Sequence, residues 1–441
     1  MKFTKSLVAT LCFFSLQSQA QDWPQFLGPE RNNSSPQKNL LHAWPETGPE
    51  VLWTVPVGLG YGGPAVKNGN VYLLDRNDSI GDILRSFDLA TGKELWKLEV
   101  PAPGAFPFPG SRCVPAVDET SVYACGIKGD LICVDIATHQ LRWQKNIWTD
   151  FGGSKLPTWA ISQCPLIYGD LVIVASQAPD AGLLAFNKQN GKLAWKTPNL
   201  GNGTYVSPTK ATISGEDHLI MVTSSTNTNR NPEAEKKPGK IIGLHPLTGN
   251  VLWEYANWDC HNSVPNAIEA GDNKLLVVAG YELGCVMIKI EKATDGSYAI
   301  SELFKHNEFG DQTKPPVLCN GCFYAQFGTN NKRDGLVCMD MDGNIKWKTK
   351  NAPGFNKGSM ILADGLLLAT DGADALYLIE PDPAAFKPLA SVKIMKAGGV
   401  ATGDRMTNVG GPTQNWAPIA LADGKLLIRD QSRMLCLKVA E

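Results

Sequence analysis

Short apolar runs alternate with turn residues along most of this chain, and the alternation itself recurs as a longer unit. One unit reads P-A-V-x-x-G-x-V-Y, then an apolar stretch ending in Asp, then x-x-T-G-x-x-x-W. Its first copy runs from Pro64-Ala65-Val66 through Val71-Tyr72 and Asp88-Leu89-Ala90-Thr91-Gly92 to Trp96, and its second from Pro115 through Asp135 to Trp143. The third spans Pro165 to Asn190-Gly191 and Trp195. The fourth spans Pro208 to Gly249 and Trp253, interrupted by an insertion at Asn227 to Gly239. A degenerate fifth copy begins at Pro265 and ends near Phe304, and the sixth runs from Pro316 through Gly343 to Trp347. The seventh starts at Ser359 and fades near Leu389. An eighth starts at Pro418 and stops at Val439, short of its tryptophan segment. The missing piece stands at the other end of the repeats, where Glu50-Val51-Leu52-Trp53-Thr54-Val55 has no unit ahead of it.

A fixed period of this length, with four short apolar runs per copy, predicts radial repetition of antiparallel sheets. The expected fold is all-β: an eight-bladed β-propeller of four-stranded blades, with the N-terminal strand completing the last blade. Seven blades remain open if the fifth or seventh unit is misassigned. Such closure leaves no bare sheet edge. Asp-x-x-Thr-Gly supplies an acceptor side chain and a residue able to adopt positive φ, which suits a tight turn. The Trp four residues after the Gly is then placed to lie between neighbouring blades as packing, rather than to stack on a cofactor. Residues 50–441 form the expected propeller and 21–49 an N-terminal extension.

Composition changes this picture little. The 441 residues contain 43 Gly and 29 Pro, in keeping with many turns, and the formal charge of −2 offers no basic field for nucleic acid. Residues 1–20 have the make-up of a cleavable export signal. Lys2 and Lys5 precede the apolar run Leu7 to Leu16, and Ser18-Gln19-Ala20 forms a small-x-small site before Gln21. That run is too short to span a bilayer, and Leu11 before Cys12 is not a lipidation signal. The expectation is a free periplasmic or secreted monomer with no transmembrane segment. Of 11 cysteines, Cys12 falls in the leader. Cys125, Cys133, Cys285, Cys338 and Cys436 lie in apolar runs, where cysteine acts as a small buried hydrophobe. Cys319 and Cys322 flank Asn320-Gly321, a hairpin signal, so turn packing or a local disulfide is expected there rather than half a zinc site.

The repeats resemble the tryptophan-docked propellers of quinoprotein alcohol dehydrogenases and of the barrel-assembly (BamB-like) protein. Several stretches resemble a family of exported PQQ-like propellers. They are Asp22-Trp23-Pro24-Gln25-Phe26-x-Gly28-Pro29-x-Arg31, Asp130-Leu131-Ile132-Cys133-Val134-Asp135, Gly358 to Gly365 and Leu427-Ile428-Arg429-Asp430. The resemblance implies PQQ with calcium as cofactors if the chain is an enzyme. Two departures bear on that: no two cysteines are adjacent, and the dehydrogenases' calcium set and catalytic Asp have no matching motif.

In a propeller, the loops leading into the innermost strands ring one mouth of the axial channel. Aligned on the first Pro of each unit, three positions earlier stand Tyr61, Arg112, Ser162, Tyr205, Asn262, Thr313, Asn356 and Asn415. The second position of the ring holds Gly62, Cys113, Gln163, Val206, Ser263, Lys314, Lys357 and Trp416. Converging polar groups between aromatic walls are what a small-molecule site requires. The candidate ligand-binding residues are therefore Tyr61, Arg112, Gln163, Tyr205, Asn262, Lys314, Lys357 and Trp416, with Trp159 from a neighbouring loop. His261 and His306 are placed in the same loops as hydrogen-bonded histidines. No catalytic residue and no metal ligand is assigned, and the hydrolase and phosphate-loop motifs are missing. The expected function is an exported scaffold binding a small ligand or an envelope protein. The alternative is a PQQ-dependent dehydrogenase of alcohols or sugars.

Overall fold

The structure, a computed structural model, describes residues 21–203, 205–227, 233, 235–328, 332–396 and 414–441. The expected leader, 1–20, lies outside the described residues, as does part of the insertion in the fourth repeat. Each repeat folds into one antiparallel sheet whose strands follow chain order, and there are eight such sheets. The first consists of Ala65–Lys67, Asn70–Asn77, Gly81–Asp88 and Glu94–Pro101. First strands of neighbouring sheets touch one another, so they form the inner ring, whereas fourth strands such as Glu94–Pro101 are largely exposed. The middle strands pack against blades on both sides and read as unbroken apolar runs for that reason. Leu171–Ala178 is buried at every position.

The ring closes as the repeat count requires. Val51–Pro56 forms the outer strand of the eighth blade and pairs antiparallel with Arg433–Lys438, with Val51 opposite Leu437, Trp53 opposite Cys436 and Val55 opposite Met434. The fifth and seventh repeats are complete four-stranded units. One sheet departs from the expected four strands. Ser34–Ser35 from the N-terminal extension adds to the inner edge of the seventh blade, parallel to Met360–Ala363.

The repeated turn and tryptophan act together across blade boundaries. Asp88 Oδ1 accepts hydrogen bonds from the Thr91 N–H and hydroxyl, both at 2.7 Å, which holds Gly92 at φ 73°. Trp53 of the eighth blade lies on that glycine: a Cβ there would meet the indole at 2.7 Å, and Trp53 Nε1 donates to the Leu89 carbonyl at 2.9 Å. Trp143 covers Gly191, and Trp195 covers Gly249, in the same way. Where the second blade has His139 at φ 60° in place of glycine, Trp96 stacks on its ring at 5.3 Å. In the degenerate fifth blade Phe304 takes the tryptophan's place, against Gly343. Trp253 differs, donating to His218 Nδ1 of its own blade at 2.9 Å.

The extension is not a loose lead-in. Trp23, fully buried, exchanges two backbone hydrogen bonds with Val66 of the first blade. Pro24 accepts from Val117 of the second, and Arg31 donates to the carbonyls of Cys164 and Pro165 at the third. Asn33 then reaches Pro315 at the sixth, and Leu40 bridges Ala440 at the eighth. Residues 23–40 therefore run across the inner ends of several blades. Among the described residues no helix is long and apolar enough to cross a membrane.

Candidate functional site

The loops leading into the inner strands enclose a cavity of about 260 Å³ on the axis. Six of the eight first-ring positions line it: Tyr61, Arg112, Ser162, Tyr205, Asn262 and Thr313. Lys314, Lys357 and Trp416 of the second ring line it too, and so does Trp159. Asn356 and Asn415 do not. Asn415 instead spends its amide on the carbonyls of Ala373 and Lys396.

One candidate is misplaced. Gln163 lies in an adjoining cleft of about 250 Å³ rather than in the axial cavity. Its Nε2 donates to the Val206 carbonyl at 3.1 Å and its Oε1 accepts the Ala175 N–H at 3.2 Å, so both ends of the amide are consumed in joining the third blade to the loop before the fourth. The inward-pointing neighbours in its loop are Ser162 and Cys164, because successive side chains along an extended segment point opposite ways. His306 is also corrected. It ends the outer strand Tyr298–His306, stacks on Phe304 at 5.4 Å and accepts the Glu308 N–H. His261 packs on Tyr281, itself a lining residue, at 5.2 Å.

Three cations converge on the cavity, and their contacts are carbonyl oxygens and an indole ring rather than carboxylates. Arg112 donates to the carbonyls of Gly110, Pro107 and Phe108 at 2.7–2.8 Å. Lys314 Nζ donates to the Trp416 carbonyl at 2.9 Å, and Lys357 Nζ stands 4.3 Å from the centre of the Trp416 ring. Burial disfavours each charge, lowering Arg112 to about 10 and both lysines to about 8. Asp311, beneath Lys314, is raised by burial to about 6. Its oxygens accept the backbone N–H groups of Thr313, Lys314 and Gln326. It lies behind the wall: among the described residues no Asp or Glu lines the cavity.

The aromatic walls form two groups. Tyr61, Phe108 and Trp416 cluster with ring centres 5.5–6.3 Å apart, and the Tyr61 hydroxyl donates to Gln414 Oε1 at 2.5 Å. Burial lifts Tyr61 to about 12, so it acts as a neutral hydrogen-bonding group. Opposite, Trp159 and Tyr205 pack at 5.3 Å, and the buried Trp159 Nε1 has no acceptor among the described residues. Phe26, Phe108 and Tyr281 were not anticipated from the repeats. Phe26 belongs to the non-repeating extension, Phe108 to a loop specific to the second blade, and Tyr281 to a left-handed turn, φ 55°, inside the fifth.

Comparison with known proteins places this geometry. No protein of curated function matches the sequence. The solved structure of BamB from Moraxella catarrhalis matches with a TM-score of 0.55 and 12% identity, over 88% of this chain and 97% of that one. A europium-containing methanol dehydrogenase matches at 0.64 and 13%, over 95% and 89%. The quinohemoprotein alcohol dehydrogenase from Comamonas testosteroni matches at 0.63 and 13%, over 94% and 80%. At these identities the likeness is one of fold. The family model described as outer membrane protein assembly factor BamB matches residues 33–156 and 81–288, more than half of the sequence. With its eight four-stranded blades, the chain belongs to that family of PQQ-like β-propellers.

Proposed function

We propose that this chain is an exported, non-catalytic propeller of the periplasm or cell envelope that binds a small anionic ligand with a flat body in its axial cavity. The observation that carries the reading is the convergence of Arg112, Lys314 and Lys357 on one cavity with no carboxylate among its described lining residues. Buried cations are costly; Asp311 acts on the two lysines only from behind the wall, and an incoming carboxylate or phosphate offsets more of that cost. The rings of Tyr61, Trp416, Trp159 and Tyr205 offer flat apolar faces between the charges. An envelope protein as the partner, the other occupant expected of such a scaffold, is less well served by a concave cavity of this size.

A quinone-dependent dehydrogenase is the second reading, since the same cations suit the carboxylates of PQQ. The calcium that accompanies PQQ does not fit. It takes about six to eight oxygens, carboxylates among them, whereas among the described residues the lining oxygens come from hydroxyls, amides and the backbone, beside three cations.

The test is tryptophan fluorescence of the full chain, titrated with PQQ and with citrate, each with and without calcium. Calcium-independent quenching by PQQ that exceeds any response to citrate supports the binding reading. Failure of both anions to bind overturns it. Calcium-dependent PQQ binding with dye-linked alcohol oxidation replaces it with the dehydrogenase.

A further inference from the structure

Beneath the cavity lies a group that anion binding does not use. Arg31, carried across the inner blade ends by the N-terminal extension, is buried to 4% exposure. Its donors go to the carbonyls of Cys164 and Pro165 and to Gln25 Oε1, at 2.8–3.2 Å, and its Nε has no partner. None of these acceptors carries a charge. The ionisable groups acting on it are the sulphurs of Cys164 and Cys113. Cys164 lines the cavity from the loop before Leu166–Tyr168, and Cys113 sits in the matching loop before Ala116–Val117 of the neighbouring blade.

The surroundings of Cys164 are built for a thiolate. Its sulphur accepts the Val114 N–H at 3.3 Å, and the neighbouring Cys113 thiol donates to the carbonyl of that same residue at 3.2 Å. Lys314 feels it from the cavity side. Burial alone pushes a thiol up, but the adjacent Cys113, the Val114 N–H, Arg31 and Ser207 together reverse that and hold Cys164 below the usual thiol range. Cys113 is raised by burial and by the neighbouring Cys164 and Cys125 sulphurs, although it accepts the Cys125 N–H at 3.3 Å. Cysteines packed inside the blades are pushed the other way, Cys285 and Cys436 to about 12. Since the thiolate is the reactive form, the fold sets one cysteine apart.

We infer that Cys164 and Cys113 form a redox-active thiol pair in the cavity floor, with Cys164 the nucleophile toward a small hydroperoxide admitted through the cavity and Cys113 the resolving thiol. The Cys164 thiolate attacks one peroxide oxygen and the O–O bond breaks. Cys164 becomes a sulfenic acid, and the departing alkoxide or hydroxide takes the Cys113 proton. The Cys113 thiolate then attacks the sulfenic sulphur, the S–O bond breaks, and hydroxide leaves to be protonated by solvent. The two sulphurs lose two electrons, which the peroxide gains. The resulting disulfide fastens the second blade to the third.

The experiment is isotope-coded iodoacetamide labelling of the full chain from pH 5 to 9, read site by site by mass spectrometry. It is followed by treatment with one equivalent of hydrogen peroxide. Cys164 is expected to label about tenfold or more faster than Cys285 and Cys436 at neutral pH, with a midpoint below theirs. Arg31→Gln should raise that midpoint in protein whose circular dichroism is unchanged. Peroxide should yield a peptide pair joining residues 113 and 164. Cys113→Ser should abolish that pair and leave a sulfenic acid on Cys164 that dimedone traps. Labelling of Cys164 no faster than of the blade-interior cysteines overturns the assignment, as does oxidation of the native protein without the cross-link.

Discussion

Replacing Lys357 with Met should strengthen the fold while weakening anion binding. The residue is 6% exposed, and burial lowers its ammonium from the ordinary 10.5 to about 8. At about 1.4 kcal/mol per pH unit, that difference corresponds to a burial cost of about 3 kcal/mol. The contact with the Trp416 ring at 4.3 Å returns part of it, about 1–2 kcal/mol for a desolvated cation–π pair. Met keeps most of the apolar stem, and the backbone stays at φ 58° in both proteins. The net gain is about 1–2 kcal/mol at neutral pH.

The pH dependence follows from the sign of the shift. The folded-state pKa lies below the unfolded one, so between about 8 and 10.5 the unfolded chain binds more protons at this site and native stability rises with pH. Below about 8 the full cost is present. The advantage of Lys357→Met over the native protein should therefore be largest at pH 7 and shrink toward pH 10.5. Urea denaturation followed by far-ultraviolet circular dichroism at pH 7 and pH 10 measures the difference between the two proteins, in which other titrating groups cancel. Affinity for a carboxylate probe should fall about 10- to 100-fold, the loss of one charge-assisted contact. A variant less stable than the native protein at pH 7, or one whose advantage does not vary with pH, refutes the reasoning.

Two further substitutions test the architecture. Trp53→Ala removes a buried indole and its hydrogen bond to Leu89 from the blade that closes the ring, and should cost about 3–5 kcal/mol in urea denaturation. Trp195→Ala, whose ring is half-buried and whose Nε1 is unpartnered, should cost less. Gln163→Leu leaves the buried Ala175 N–H without its acceptor and removes the donor to the Val206 carbonyl. It should destabilise by about 2–3 kcal/mol while affinity in the axial cavity, measured by fluorescence titration, stays unchanged.

Much of the site was readable because the repeats share a common origin in space. Once Pro64, Pro115 and their equivalents are superposed, the residues before them must face one axis, and that places Tyr61, Arg112, Tyr205, Lys314, Lys357 and Trp416 together. Gln163 shows where the alignment stops. Position within a loop follows from the repeat, but which side chain turns inward depends on backbone pleat, and there Ser162 and Cys164 face the cavity instead.

From the sequence alone came the blade count, the strand order within each blade, and the closure of the eighth blade by the segment around Trp53. These rest on contacts within one period or between adjacent periods, which local patterning encodes. Only the tertiary structure decided what happens on the axis, where all eight blades meet and no period applies. A non-repeating extension carries Phe26 to the cavity wall and Arg31 beneath it. The closed ring brings Cys113 beside Cys164, and burial there sets the charge on groups that composition leaves undistinguished.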